Sequence, residues 1–461
     1  MEANTVLVLS MFITFIALLF TGIPIAYILG GVAMLFSLVG YLSDMYLGTM
    51  TGLDFNTLGM AAERAFQIVE NWVLLAIPMF LFMGLMLDAS GTAQRMMKSM
   101  QELFGPLRGG LAVSVAVIGI ILAASTGIVG ASVVLLAIIS MPTMLNQKYS
   151  PALAAGTVAA SGTLGILIPP SIMLIIMGDQ LSIPVGDLFL GAMLPGCLLG
   201  GLYIVYIILY SWLKPDAAPL APDRRKVTWP VFWEVLKSAL PPFGLIILVL
   251  GSIFTGLATP TEAGGVAVFG ATALAAINRK LTWKVIKKVT LDTFSTCGFV
   301  FSLMVGATLF ALVLRLLGGD EVIDGFFASL SVGPYGKVAI IMASVFFLGF
   351  FLDWIEICLI ILPLVAPVVQ ALGVDVNGYG VVDQPTLVWF SVLVAIALQT
   401  SFLTPPVGPS IFFVQGVAPK EVKLSHIYKG VVPFIILQLI GLFMVIVWPA
   451  LVTWLPAVIY K

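Results

Sequence analysis

Two Pro-Pro pairs inside apolar sequence mark where this chain can do chemistry: Pro169-Pro170 in Gly165-Ile166-Leu167-Ile168-Pro169-Pro170-Ser171, and Pro405-Pro406 in Phe402-Leu403-Thr404-Pro405-Pro406-Val407-Gly408. Proline lacks an amide hydrogen and its ring collides with the carbonyl one turn back, so each pair releases backbone carbonyls that hydrocarbon does not satisfy. Two further interruptions of long apolar runs are Ser125-Thr126-Gly127-Ile128-Val129-Gly130 and Asp353-Trp354-Ile355-Glu356. Opposed broken helices offer what a small cation and an anionic solute need. Carbonyl ends replace the hydration shell of sodium, and half-helix N-termini present amide hydrogens to a carboxylate. Ser125, Thr126, Thr163, Gln399, Thr400, Ser401 and Thr404 add hydroxyl or amide oxygens beside the freed backbone, and Gly162 and Gly165 permit close backbone approach before the first break. Asp353 and Glu356 lie three residues apart, and an intramembrane acid costs roughly 2.5 to 3.5 kcal/mol on insertion scales, which makes both candidates for cation binding or gating. Pro170 and Pro406, in the breaks themselves, join them as substrate-binding or gating candidates. Plainer alternatives stay open: a hydroxyl bonding the carbonyl one turn back, and acids that hold the hairpin by pairing with a neighbouring amide.

The elements that must position these residues repeat. Pro169 and Pro405 are separated by 236 residues, and Gly22-Ile23-Pro24 recurs as Ala258-Thr259-Pro260 at the same offset. The sequence predicts a first repeat over residues 1–213, a linker over 214–238 rich in Pro and basic residues, and a second repeat over 239–461. Within the first, residues 5–41 hold two helices, 72–87 one span, 94–108 an amphipathic surface segment or a loop, 111–145 a re-entrant hairpin or a full span, 152–177 a broken helix and 188–213 a further helix, or a helix and part of another. In the second, 240–256 and 262–276 are spans, 294–317 another, 339–372 the second hairpin, 387–414 the second broken helix and 431–451 the last span. Pro106 and Pro334 precede the hairpins at an offset of 228, so aligning the hairpins takes a gap of about eight residues. Basic clusters flank the 240–276 pair on both sides, Arg224, Arg225, Lys226 and Lys237 before it and Arg279, Lys280, Lys284, Lys287 and Lys288 after it. By the positive-inside rule both face the cytoplasm.

Composition bounds the class. A hydrophobic share of 61%, a charged share of 9% and a mean hydropathy of +1.15 exclude a soluble globular protein and predict an all-α polytopic membrane protein. The N-terminus has no basic region or cleavage site ahead of its apolar run and reads as a retained helix. Cys197, Cys297 and Cys358 have no metal-binding spacing and His426 is the sole histidine, which leaves little room for a metal centre or histidine catalysis. A GxxxxGK[ST] motif is absent, so an ion gradient must supply the energy. With one histidine and few buried acids, sodium is more economical than a proton relay. Asp179, Asp187 and Glu262 fit helix ends and caps, Arg315 either attracts an anion or snorkels, and nucleic-acid binding has no support.

In Ala160-Ser161-Gly162-Thr163-Leu164-Gly165-Ile166-Leu167-Ile168-Pro169-Pro170-Ser171, Thr259-Pro260-Thr261-Glu262-Ala263 and Leu403-Thr404-Pro405-Pro406-Val407-Gly408, the chain resembles the large membrane subunit of tripartite ATP-independent periplasmic (TRAP) transporters, a DctM-type permease. The resemblance implies an ion-transporter fold with two inverted repeats, each with a re-entrant helical hairpin and a discontinuous helix, working as an elevator in the bacterial inner membrane. It implies sodium coupling with no other cofactor, a periplasmic solute-binding protein and a small four-helix membrane subunit, separate here because no four extra spans flank the chain. By the family pattern, sodium ligands fall at Ser125 to Gly127, Gly162 to Gly165, Asp353 to Glu356 and Gln399 to Thr404. The first tip departs from the Ser-Gly-Ser type of sialic acid and C4-dicarboxylate members, and Gln399-Thr400-Ser401-Phe402-Leu403-Thr404 looks like a branch handling 2-oxo acids, lactate or aromatic acids. The expected activity is sodium-coupled import of an organic acid, a monocarboxylate or 2-oxo acid. A channel with re-entrant selectivity loops is the alternative. An intramembrane enzyme has only the Asp353 and Glu356 pair in its favour.

Overall fold

A computed structural model describes residues 3–127, 129–220 and 228–460, with the side chains of Ser125 and Thr126 outside the described set. Ile128 and the basic cluster Arg224, Arg225 and Lys226 also lie outside it. Every regular element among the described residues is helical, as sequence this apolar requires, because a helix satisfies its own backbone polar groups in lipid. Nine of these helices are long and apolar enough to cross a bilayer.

The first half runs α1 Ala3–Leu19, α2 Ile25–Leu47, α3 Phe55–Glu70, α4 Ala76–Ala89, α5 Thr92–Phe104, α6 Gly110–Thr126, α7 Val129–Asn146, α8 Pro151–Thr163, α9 Ile172–Leu181 and α10 Val185–Leu213. The second repeats that order: α11 Trp229–Phe254, α12 Pro260–Ile277, α13 Trp283–Leu316, α14 Gly319–Ser329, α15 Pro334–Leu348, α16 Trp354–Glu356, a π-helical turn Ile357–Ile361, α17 Leu362–Ala371, α18 Pro385–Leu403, α19 Pro409–Val417, α20 Leu424–Val447 and α21 Ala450–Ile459. Thus α6–α7 and α15–α17 are the hairpins, and α8–α9 and α18–α19 the broken helices. Packing exchanges the halves: α2 lies on α13 as α12 lies on α4, and α7 lies beside α19 as α17 lies beside α9. From α2 to α12 the chain makes an odd number of crossings, α2, α4, α8–α9, α10 and α11, while the hairpin adds none or two. The repeats are therefore inverted. Charge agrees, since α5 carries Arg95 and Lys98 whereas its counterpart α14 carries Asp320, Glu321 and Asp324.

Local signals explain the boundaries. Thr259 caps α12 through a capping box, its hydroxyl accepting from Glu262 N at 3.3 Å while Glu262 Oε2 accepts from Thr259 N at 2.8 Å. Asp179, near the end of α9, accepts from Asn71 Nδ2 and from Gln180 Nε2, tying that helix to the α3–α4 junction. Arg315 pairs with Asp320 at 3.6 Å on the exposed surface. The tightest seam is α8 against α20, where a Cβ on Gly156 would strike the backbone of Gly430 and one on Gly430 would strike the carbonyl of Ala152. Only glycine allows the two backbones to meet.

Some elements differ from the sequence expectation. α3 is amphipathic and bent 54° from the following span, so its low hydropathy hides it. α13 begins at Trp283, not near 294, because Lys284, Lys287 and Lys288 ride on the helix; its 34 residues extend about 51 Å, well beyond a core of about 30 Å. α11 opens at Trp229, inside the expected linker, and runs through Pro241 and Pro242. The last run divides into α20 and a separate α21.

Candidate functional site

All four interruptions are present, and they converge. At the first tip Gly127 holds φ 61°, which a side chain would resist, and the place where its Cβ would stand is 3.3 Å from Ile172 N at the start of α9. Gly130, one turn on, faces the Phe413 ring of α19. At the second tip Gly349 abuts Ser401 and Leu398 of α18. Beyond that tip, α16 and the π turn pack on α9. Pro363 withholds the amide that would bond the carbonyl of Leu359, and the helix answers with its wider turn at Ile357–Ile361.

Each break keeps a residue of exposed backbone chemistry. Pro169-Pro170 and Pro405-Pro406 are both cis. At the first break Ser171 Oγ donates to Ile166 O at 2.7 Å, recovering one freed carbonyl. The second half-helices α9 and α19 begin at Ile172 and Pro409 without any side-chain cap; the first amide hydrogens of α9 are open to an anion, whereas in α19 Pro409 has no amide hydrogen and Ile411 N donates to Gly408 O at 2.9 Å. Ser410, in the first turn of α19, is buried and its hydroxyl has no partner.

The expected ligands divide by what they bond. Thr163 Oγ1 donates to Ala160 O at 2.8 Å, Thr400 Oγ1 to Ile396 O at 2.7 Å and Thr404 Oγ1 to Thr400 O at 2.7 Å. These three make the back-bond to the previous turn, and each retains lone pairs that a cation can share. Ser401 Oγ and Gln399 Oε1 are fully buried without a partner. Gly162 packs on the Val133 backbone of α7, and Gly165 lies in the 3-10 turn Leu164–Ile166 that ends α8. Asp353 is a helix cap, its Oδ1 accepting from Trp354 N at 2.8 Å. Glu356 is different: it is 1% exposed, no side chain bonds either carboxylate oxygen, and the backbone of Asp353 and of Glu356 itself approaches them too loosely for a full hydrogen bond. Pro406 O accepts from Tyr428 Oη at 3.3 Å, while Pro170 is buried in the first break. Ser125 and Thr126 lie at the α6 end of the first tip, their side chains outside the described residues.

Sequence reasoning missed the link between the breaks. Gln399 Nε2 donates to Thr163 Oγ1 at 3.3 Å, and those two positions are 236 residues apart, the spacing of the repeat itself. Gln399 Nε2 also reaches Tyr203 Oη at 3.3 Å, and Gln438 Nε2 donates to the same hydroxyl at 2.8 Å across 235 residues. All four side chains are wholly buried. The repeat offset, applied to every polar residue in the apolar runs, would have found the pair Thr163 and Gln399.

Comparison with known proteins places this arrangement. Residues 12–451 match the family model described as tripartite ATP-independent periplasmic transporter, DctM component. The chain is 28% identical over 470 residues to the C4-dicarboxylate TRAP transporter large permease protein DctM of Vibrio cholerae, covering 97% of each. It is 27% identical to the sialic acid TRAP transporter large permease protein SiaM of the same organism, covering 96% of each. It is also 27% identical to the isethionate TRAP transporter permease protein DctMQ of Oleidesulfovibrio alaskensis, where 95% of this chain spans 64% of the relative. Among solved structures, the Alcanivorax borkumensis YdaH transporter superposes with a TM-score of 0.58 at 15% identity, covering 86% of this chain and 90% of that one, a likeness of fold. With the family model spanning nearly its whole length over two inverted, helix-broken repeats, the chain belongs to the DctM family of large permeases, the multi-pass inner-membrane subunits of TRAP secondary transporters for organic acids.

Proposed function

We propose that this permease imports a monocarboxylate or 2-oxo acid by coupling it to sodium entry. Glu356 carries the reading. A buried carboxylate with two unpartnered oxygens, next to a helix break, is a costly arrangement unless a cation completes it. Ser401, whose hydroxyl is also without a partner, packs under the same hairpin tip, and the back-bonded Thr400 and Thr404 keep acceptor lone pairs at the break. The uncapped N-terminus of α9 supplies amide hydrogens for the carboxylate of the solute. The relatives are named for C4-dicarboxylates, sialic acid and isethionate, so an acidic head group is the shared feature. A single carboxylate on this solute follows from the resemblance of the Gln399-Thr404 segment to the monocarboxylate and 2-oxo acid branch. The body of hairpins and broken helices slides as an elevator against the scaffold of α2, α4, α12 and α13. A periplasmic binding protein delivers the solute, and a small membrane subunit completes the complex.

Reconstituted with both partners, the permease is expected to accumulate lactate or pyruvate under an inward sodium gradient and not under a proton gradient alone. Accumulation that follows the proton gradient and ignores sodium overturns the coupling. Conduction at channel rates by the chain without its binding protein overturns transport. Ser401→Ala removes a hydroxyl that no protein group uses. Its half-saturating sodium concentration is expected to rise about fivefold to tenfold, the worth of one hydrogen-bonding group, with thermal stability unchanged. Unchanged sodium activation removes Ser401 from the site.

A further inference from the structure

A polar cavity lies away from the tips and breaks. It encloses about 540 Å³ between α5 and α11 and is walled by Arg95, Lys98 and Glu102 on one side and Glu234, Lys237 and Ser238 on the other, with Pro241, Pro242 and Asn278 at its edge. A bond of 2.6 Å between the hydroxyls of Ser99 and Ser238 holds the two helices together at its floor. None of the three cations makes an ion pair with either carboxylate. Pro241 and Pro242 also withhold the amides that a regular helix would bring to the carbonyls of Lys237 and Ser238, which leaves two backbone acceptors on the same wall. One chamber thus offers three cationic donors and, beside them, two carboxylates with backbone oxygens.

The position narrows what fits. Arg279, Lys280, Lys284, Lys287 and Lys288 follow directly after Asn278, so the cavity opens on the cytoplasmic side. Trp229, Phe232 and Trp233 are exposed at the start of α11, Lys237 Nζ stands 5.7 Å from the ring centre of Trp233, and this aromatic girdle marks the headgroup level. We propose that the cavity binds the phosphoethanolamine headgroup of a cytoplasmic-leaflet phospholipid. Arg95, Lys98 and Lys237 hold the phosphate, and Glu102, Glu234 and the freed carbonyls hold the ammonium. A purely anionic headgroup leaves the two carboxylates unmatched, and a choline headgroup has no N–H to give them.

The test uses the permease purified with its small subunit, delipidated, and exposed to vesicles holding equal amounts of phosphatidylethanolamine, phosphatidylglycerol and phosphatidylcholine, with retained lipid read by native mass spectrometry. The wild-type complex is expected to retain phosphatidylethanolamine over both others. Arg95→Gln with Lys237→Gln is expected to cut that retention by about fivefold per cation removed. Glu102→Gln with Glu234→Gln, which leaves the cations, is expected to turn the preference towards phosphatidylglycerol. These side chains stand at the surface, so the variants fold as the parent does. Equal retention of the three lipids, retention indifferent to both double variants, or displacement of bound lipid by millimolar inorganic phosphate overturns the proposal.

Discussion

Replacing Glu356 by glutamine is expected to make the permease more stable and nearly inactive. The carboxylate is 1% exposed and its oxygens lack partners, so in the empty protein the charge is a burden of the size of an intramembrane acid, roughly 2.5 to 3.5 kcal/mol. An amide of equal volume removes most of that burden. The same change removes the anion that faces a bound cation. At about 4 Å and an effective dielectric of about 20 their attraction is about 4 kcal/mol, so uptake at fixed sodium is expected to fall by about two to three decades. Thermal unfolding without sodium and uptake in vesicles, run on one preparation, separate the effects. A variant as active as the parent shows that Glu356 binds no ion, and a variant that loses both stability and activity shows that the acid is a structural member of the hairpin.

Alanine at Gly156 or at Gly430 is expected to disrupt folding strongly. At both positions the new Cβ meets backbone of the opposing helix, Gly430 in one case and Ala152 in the other, and backbone cannot rotate away as a side chain can. α8 and α20 must separate, and α8 carries Thr163 and the first break at its end. Overpacking of this kind costs typically about 1 to 3 kcal/mol, and this seam sits at the upper limit because neither partner can yield. Gly201→Ala, where the added methyl meets nothing within 4 Å, is the control. Comparable melting temperatures for Gly156→Ala and Gly201→Ala would show that the seam is looser than its geometry implies.

Much of the architecture was legible because membrane interiors leave few ways to interrupt a helix. Pro169-Pro170 and Pro405-Pro406 announced both breaks, and Thr259 with Glu262 announced the start of α12. What escaped was amphipathic or interfacial. α3 has too few apolar residues to stand out, the lysines of α13 suggested a loop where they decorate a helix, and Pro241-Pro242 hid the continuity of α11. At the site, residue type located the candidates and left their bonding open. Thr163, Thr400 and Thr404 turn their protons back onto the helix, whereas Ser401, of the same chemistry, does not. Asp353 and Glu356 looked alike in sequence, yet one caps a helix and the other stands unpartnered. Those distinctions depend on which backbone groups are free, and that is set by three-dimensional packing.

The hydrogen bond from Gln399 to Thr163 joins equivalent positions of the two halves. In a dual-topology homodimer of identical half-length chains, one residue type would occupy both places and face its own copy across the two-fold axis. Gln against Thr is a pairing that only separately mutable copies can hold, so this contact records the divergence of the two halves from a common ancestor.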